Sequence, residues 1–120
     1  MTKILIVEDD SNISQLYSME LVRNGYDVDL ATDGAKALDL LASKPALVIL
    51  DILMPNMDGI EFMRQATRVN GGKTPRIIVM SNVDTPELQK AAKTMGAEQY
   101  YLKVNVTPSQ LVVIVAEHLE

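Results

Sequence analysis

The sequence predicts an α/β fold, a five-stranded parallel sheet built from five successive βα units with helices on both faces. Three observations carry that prediction. Short apolar, β-branched runs recur at five places along 120 residues. Three of them are apolar almost throughout rather than alternating, which is how a strand reads when both of its faces are covered. Between the runs, apolar residues recur at helical spacing, and Gly, Pro and capping hydroxyls punctuate the boundaries.

The first strand is KILIV (3–7). A helix follows over 12–24, with Ile13, Leu16, Met19 (or Glu20) and Val22 or Arg23 on one face, Ser11 or Asp10 as its cap and Gly25 as its stop. DVDLA (27–31) is the second strand, and the helix over 34–43 gathers Ala37, Leu38 and Leu41. ALVIL (46–50) is the third strand, followed by 58–68 with Ile60, Met63 and Thr67 or Ala66 on one face. RIIVM (76–80) is the fourth, followed by a helix over 86–95 that opens on Thr85-Pro86, gathers Leu88, Ala91, Ala92 and Met95, and stops at Gly96. QYYL (99–102) is the fifth. The last helix opens on Thr107-Pro108 and reads SQLVVIVAEHLE, apolar nearly all round. Leu111, Ile114, Val115 and His118 are expected to face the sheet, leaving Val112, Val113 and Ala116 partly exposed. Such a helix is either tightly covered or a contact surface for a partner or a second copy. Right-handed crossovers turn (βα)5 into a doubly wound three-layer sandwich. The strand order 2-1-3-4-5 is the flavodoxin-like arrangement.

Composition narrows the function classes. The length argues for one domain over 1–120, as a whole protein or as a piece of a longer one. There are no cysteines, so disulfides and thiolate metal sites are excluded, and a reducing cytoplasmic setting is compatible. One histidine, His118, excludes a multi-histidine metal site. The net charge is -5 and the 11 basic residues are scattered, which argues against a nucleic-acid surface. No apolar run approaches the roughly 18 residues of a membrane span, and the N-terminal apolar stretch ends in three acids rather than a cleavage site.

In a doubly wound sheet, sites form outside the carboxyl ends of the strands. Those ends carry Glu8, Asp9 and Asp10 after the first strand, Asp51 after the third, Ser81 after the fourth and Lys103 after the fifth. Taken singly, an acid after a strand is usually a helix cap or a solvated turn residue, and Asp10 fits that description. Together on one rim, repelling carboxylates ask for a cation. All-oxygen ligands without His or Cys point to Mg²⁺ or another hard divalent ion.

With those residues in place the chain resembles, over essentially its whole length, the response-regulator receiver domain of two-component signalling. The segments that carry the resemblance are ILIVEDD, LDILMPNMDG, Ser81 after RIIVM, and GAEQYYLK with Tyr100 three residues before Lys103. The strand order is what this resemblance implies rather than an independent reading. The resemblance also implies roles. Asp51 is the phosphoacceptor, taking a phosphoryl group from a histidine kinase or phosphotransfer protein as an aspartyl phosphate. Asp9 and Asp51 bind Mg²⁺ directly, Glu8 through water, and the Leu53 carbonyl supplies a further ligand. Lys103 pairs with Asp51 at rest and with phosphoryl oxygens afterward, and Ser81 donates a hydrogen bond to one of them. Tyr100 then swings inward and reshapes the face of helix 4, strand 5 and helix 5, which meets an output partner or a second copy. Tyr101 should point to the opposite side of the sheet. Pro55 and Gly59 shape the loop after Asp51, and Met54 and Met57 pack it, since thioether is too soft for Mg²⁺.

The chain departs from the family pattern at four positions. Val104 follows Lys103 where the family has a cis proline, so that peptide is either cis at a cost of about 2.5–4 kcal/mol or takes a trans path. Asn82 replaces a small residue and either crowds Asp51 or hydrogen-bonds a ligand. Leu53 and Val83 are apolar where they flank the phosphoryl group, which predicts slowed attack by water. The competing readings are an unphosphorylated receiver-like interaction module, a Mg²⁺-dependent hydrolase with an aspartyl intermediate, and a flavin-binding electron carrier. The hydrolase lacks its second acid, since Leu53 stands there. The flavin carrier is disfavoured because the EDD stretch would repel a phosphate.

Overall fold

A computed structural model describes residues 1–54 and 57–119. Five strands, β1 (Lys3–Val7), β2 (Asp27–Ala31), β3 (Leu47–Leu50), β4 (Ile77–Ser81) and β5 (Gln99–Leu102), alternate with five helices. These are α1 (Ser11–Arg23), α2 (Gly34–Leu40), α3 (Gly59–Val69), α4 (Pro86–Thr94) and α5 (Pro108–Leu119). All strand pairs are parallel, in the order β2-β1-β3-β4-β5. The expected sandwich is therefore observed. The predicted helix over 34–43 ends early as a 3-10 turn, Leu41–Ser43. The fourth strand runs one residue further than RIIVM, so Ser81 is the last residue of β4 rather than the first after it.

Both sheet faces are covered, which explains why the central strands read as unbroken apolar runs. Successive side chains alternate between two cores. Leu5, Val7, Val48, Leu50, Ile77 and Val79 pack with Ala37, Phe62, Met63, Ala66 and Ala92 on the α2–α3–α4 side. Ile4, Ile6, Leu47, Ile49, Ile78 and Met80 pack with Tyr17, Leu21, Leu111 and Val115 on the α1–α5 side.

The face of α1 differs from the expectation. Its buried residues are Ser14, Tyr17 and Leu21, whereas Leu16, Met19 and Val22 are 57%, 64% and 54% exposed. Two helical stripes compete on this helix. The one that wins is led by a tyrosine whose hydroxyl donates to the buried Val106 carbonyl at 3.3 Å, so its polar tip is satisfied inside the core. In α3 the expected Met63 and Ala66 are buried together with Phe62, which the periodic reading omitted. In α5, Leu111 and Val115 are buried, Ile114 and Val112 are half-buried, and Val113 is 57% exposed.

The helix starts follow the capping rules. Asp10, not Ser11, caps α1, accepting from the backbone N–H groups of Asn12 and Ile13. Thr85 caps α4 through Leu88 N–H. Thr107 and Gln110 cap the start of α5 reciprocally, Gln110 N–H to Thr107 Oγ1 at 3.2 Å and Thr107 N–H to Gln110 Oε1 at 2.8 Å. Gly25 and Gly96, with φ of 92° and 104°, supply the left-handed residue past α1 and α4.

Candidate functional site

The sheet register brings the strand ends to one rim. Val7 lies beside both Ala31 and Leu50, Leu50 beside Val79, and Ser81 beside Leu102. The ladder continues one residue past β1 and β3. Glu8 N–H donates to Ala31 O and Asp51 N–H to Val7 O, both at 3.0 Å. The acids therefore sit on backbone held by the sheet rather than on free loops.

Glu8, Asp9 and Asp51 each offer a carboxylate oxygen, and these oxygens all lie within 4.8 Å of one another. Lys103 faces them. Its Nζ donates to Asp51 Oδ2 at 2.8 Å, as expected, and it also pairs with Glu8. The latter contact was not expected, because the sequence reading gave Glu8 to the metal alone. Charge balance is the signal that points to it: two buried carboxylates need a nearby cation. Glu8 and Asp51 are 3% and 6% exposed, while Asp9 is open to solvent. The remaining oxygens are also engaged, Glu8 Oε2 by Asp10 N–H at 3.2 Å and Asp51 Oδ1 by Leu53 N–H at 3.1 Å. A cavity of about 240 Å³ opens between these groups, with Ile13, Leu53 and Asn82 completing its wall. Ile13 was read from the sequence as a core residue and gave no signal of this second role.

The electrostatics follow from burial. Desolvation pushes the Glu8 carboxyl up to about 7, against the hydrogen bonds from Lys103 and the Asp10 backbone that favour its charged form. Burial pulls the Lys103 ammonium down, but its hydrogen bonds to Asp51 and Glu8 outweigh this, and the net direction is up. The donor set fits Mg²⁺. It is three carboxylates with no nitrogen or sulfur ligand among them, and one side is open to solvent for the waters this ion retains.

Ser81 is fully buried and is not on the cavity wall. Its Oγ accepts from Val83 N–H at 3.1 Å, and the Val83 carbonyl accepts from the Tyr100 hydroxyl. Tyr100 packs on the α2–α3–α4 side and Tyr101 on the α1–α5 side, as the alternation of a strand requires. Tyr101 hydroxyl meets His118 Nε2 at 3.1 Å. There is no cis peptide among the described residues, so Lys103–Val104 takes the trans path, turning through a 3-10 segment at Lys103–Asn105. Met54 is buried in the core and Met57 packs against it, in line with packing roles. Pro55, expected to shape this loop, lies outside the described residues.

A family profile described as the response regulator receiver domain matches residues 4–116. The chain belongs to this family. This receiver domain is 39% identical over 104 residues to Response regulator ArlR of Staphylococcus epidermidis, which spans 86% of this chain and 46% of that protein. It is 41% identical over 102 residues to Response regulator MprA of Mycolicibacterium vanbaalenii, spanning 84% and 43%. The chain thus spans less than half the length of the curated relatives it matches. Among solved structures, chemotaxis protein CheY4 of Vibrio cholerae superimposes with a TM-score of 0.89 at 30% identity, covering 98% of both chains. The BeF3-activated receiver domain of Klebsiella pneumoniae RstA does so with a TM-score of 0.85 at 31% identity, covering 99% of both.

Proposed function

We propose that this receiver domain, over residues 1–120, accepts a phosphoryl group on Asp51 from a histidine kinase or phosphotransfer protein and converts it into a change of surface. One observation carries the reading: three carboxylates meet within 4.8 Å on a sheet-held rim, with the Lys103 ammonium 2.8 Å from Asp51. Glu8, Asp9, Asp51 and the Leu53 carbonyl would hold Mg²⁺, which supplies positive charge against the phosphoryl oxygens. An Asp51 carboxylate oxygen forms the new O–P bond as the N–P bond to the donor imidazole breaks, and the departing ring nitrogen takes a proton. Lys103 shifts its hydrogen bond from the carboxylate to a phosphoryl oxygen, which lowers the energy of the charge spread in the transition state. Receiver domains are not classed as enzymes; the chain assists its own phosphotransfer and slow dephosphorylation.

The readout runs through contacts already made. Ser81, Val83 and Tyr100 form a continuous hydrogen-bonded series from the end of β4 to β5. When Ser81 donates to the phosphoryl group, the loop moves, the Tyr100 bond to Val83 breaks and Tyr100 turns inward. The α4–β5–α5 face is thereby offered to an output protein or domain, or to a second copy, with the half-exposed Val113 on α5 part of that surface. No described helix is long and apolar enough to cross a membrane, and a cytoplasmic setting fits the proposed donor.

The test is an intact-mass measurement after incubation with Mg²⁺ and acetyl phosphate. One added phosphoryl group on the wild type, absent with Asp51→Ala or after chelation, is the expected result. Modification that persists in Asp51→Ala, or none on the wild type, overturns the assignment. Steady phosphate release from many substrates would favour the hydrolase.

A further inference from the structure

Gly34 opens α2 and is buried although it has no side chain. Its backbone is not in the left-handed region, since that conformation is confined to other glycines and Lys44 among the described residues. Any residue can therefore adopt the conformation of Gly34, and alanine would favour the helix. The requirement for glycine is spatial. A Cβ on Gly34 would lie 2.9 Å from Met57 Sδ and 3.1 Å from both Met57 Cβ and Cγ, well inside the ~3.5–4.0 Å of ordinary carbon contact. The sulfur can swing aside, because a thioether chain is flexible. The Met57 Cβ cannot, because it is bonded directly to the loop backbone.

That backbone belongs to the stretch joining Asp51 to α3. Its near end is tied to the acceptor itself, through Leu53 N–H on Asp51 Oδ1. Met54 is anchored in the core. The far end is closed by Gly59 N–H on Ile52 O at 2.7 Å, and a Cβ on Gly59 would come within 2.5 Å of Ile52 Cα. Met57 adds the link to a separate element, the start of α2.

We infer that Gly34 is a positioning residue for the acceptor loop: its missing side chain is the notch in which Met57 seats, and that seating sets where the Leu53 N–H meets the side chain of Asp51, whose own backbone the sheet holds. This rests on the function proposed above. It couples the β2–α2 turn, which carries none of the pocket's carboxylates, to the affinity of the site.

The experiment compares wild type, Gly34→Ala, Met57→Ala and the double variant. Three quantities are read: urea stability, the Leu53 amide resonance without metal, and Mg²⁺ affinity by titrating the metal alone. Gly34→Ala is expected to shift the Leu53 amide and weaken Mg²⁺ binding by about three- to tenfold while remaining folded. Met57→Ala empties the notch and also weakens Mg²⁺. In the double variant the added methyl still meets the retained Cβ at position 57 but no longer Sδ or Cγ, so adding Gly34→Ala to Met57→Ala costs less Mg²⁺ affinity than adding it to the wild type. A general packing defect would instead lower stability and leave the Leu53 amide and Mg²⁺ affinity unmoved. Unchanged affinity in Gly34→Ala, or an equal loss with and without Met57, overturns the inference. Should Gly34→Ala fail to fold, Met57→Ala on the native glycine still decides it, since unchanged Mg²⁺ affinity there also overturns it. A wild type that binds no Mg²⁺ overturns the proposed function instead.

Discussion

Glu8 is a carboxyl group in a place that favours its neutral form. It is 3% exposed and shares one ammonium with Asp51. In the metal-free protein its folded value is raised from 4.5 to about 7. The unfolded chain releases this proton near 4.5 and the folded chain holds it to about 7. The stability it contributes is therefore fully present below 4.5 and lost as pH rises through 7. Urea unfolding without Mg²⁺ should show stability falling across that window, by an amount on the order of 3 kcal/mol. Glu8→Gln should flatten the slope, and a slope unchanged by that substitution would place the titration elsewhere. Leu53 allows a second test at this scale. It is 49% exposed on the cavity wall, whereas Val83 is not on that wall and is tied to Ser81 and Tyr100. Leu53→Asn should shorten the phosphoryl lifetime several-fold by admitting and orienting water. A lifetime that does not shorten counts against a water-excluding role.

At the scale of elements, α1 shows where periodicity runs out. Ile13, Leu16 and Met19 fit a helical stripe, but so do Ile13, Tyr17 and Leu21, and only the second is covered by the sheet and α5. Leu21→Ala should cost about 3 kcal/mol, as a fully buried leucine does. Met19→Ala should stay within about 0.5 kcal/mol. Chemical denaturation of both variants checks this, and the reverse order would return α1 to the face read from its sequence. The central strands behaved differently. The runs of β1, β3 and β4 were legible almost to the residue, because a strand covered on both faces is apolar nearly throughout and no choice of face is needed. The one-residue extension of β4 places Ser81 within the sheet, next to Leu102, where its hydroxyl is buried.

At the scale of the molecule, folding brings together the proposed cation site from acids that follow β1 and β3 and a lysine that follows β5. Such a site exists only in the folded chain, so metal binding and stability are linked. Mg²⁺ at a hundredfold excess over its Kd should add about 2.7 kcal/mol to unfolding, reversed by chelation. The gain should shrink in Asp51→Ala. Thermal unfolding with and without Mg²⁺ measures both, and equal gains in the two proteins would remove Asp51 from the site.

The sequence by itself determined the alternation of strands and helices, the caps of α4 and α5 and the presence of acids, hydroxyl and lysine at the strand ends. These are local properties: side-chain period, capping chemistry and strand termini are written within a few residues of where they act. Only the tertiary structure decided the face of α1, the pairing of Glu8 with Lys103, the trans turn after Lys103 and the seating of Met57 over Gly34. Each depends on a partner distant in sequence or on the space left by a neighbour, and neither quantity is encoded in the spacing of residues along one segment.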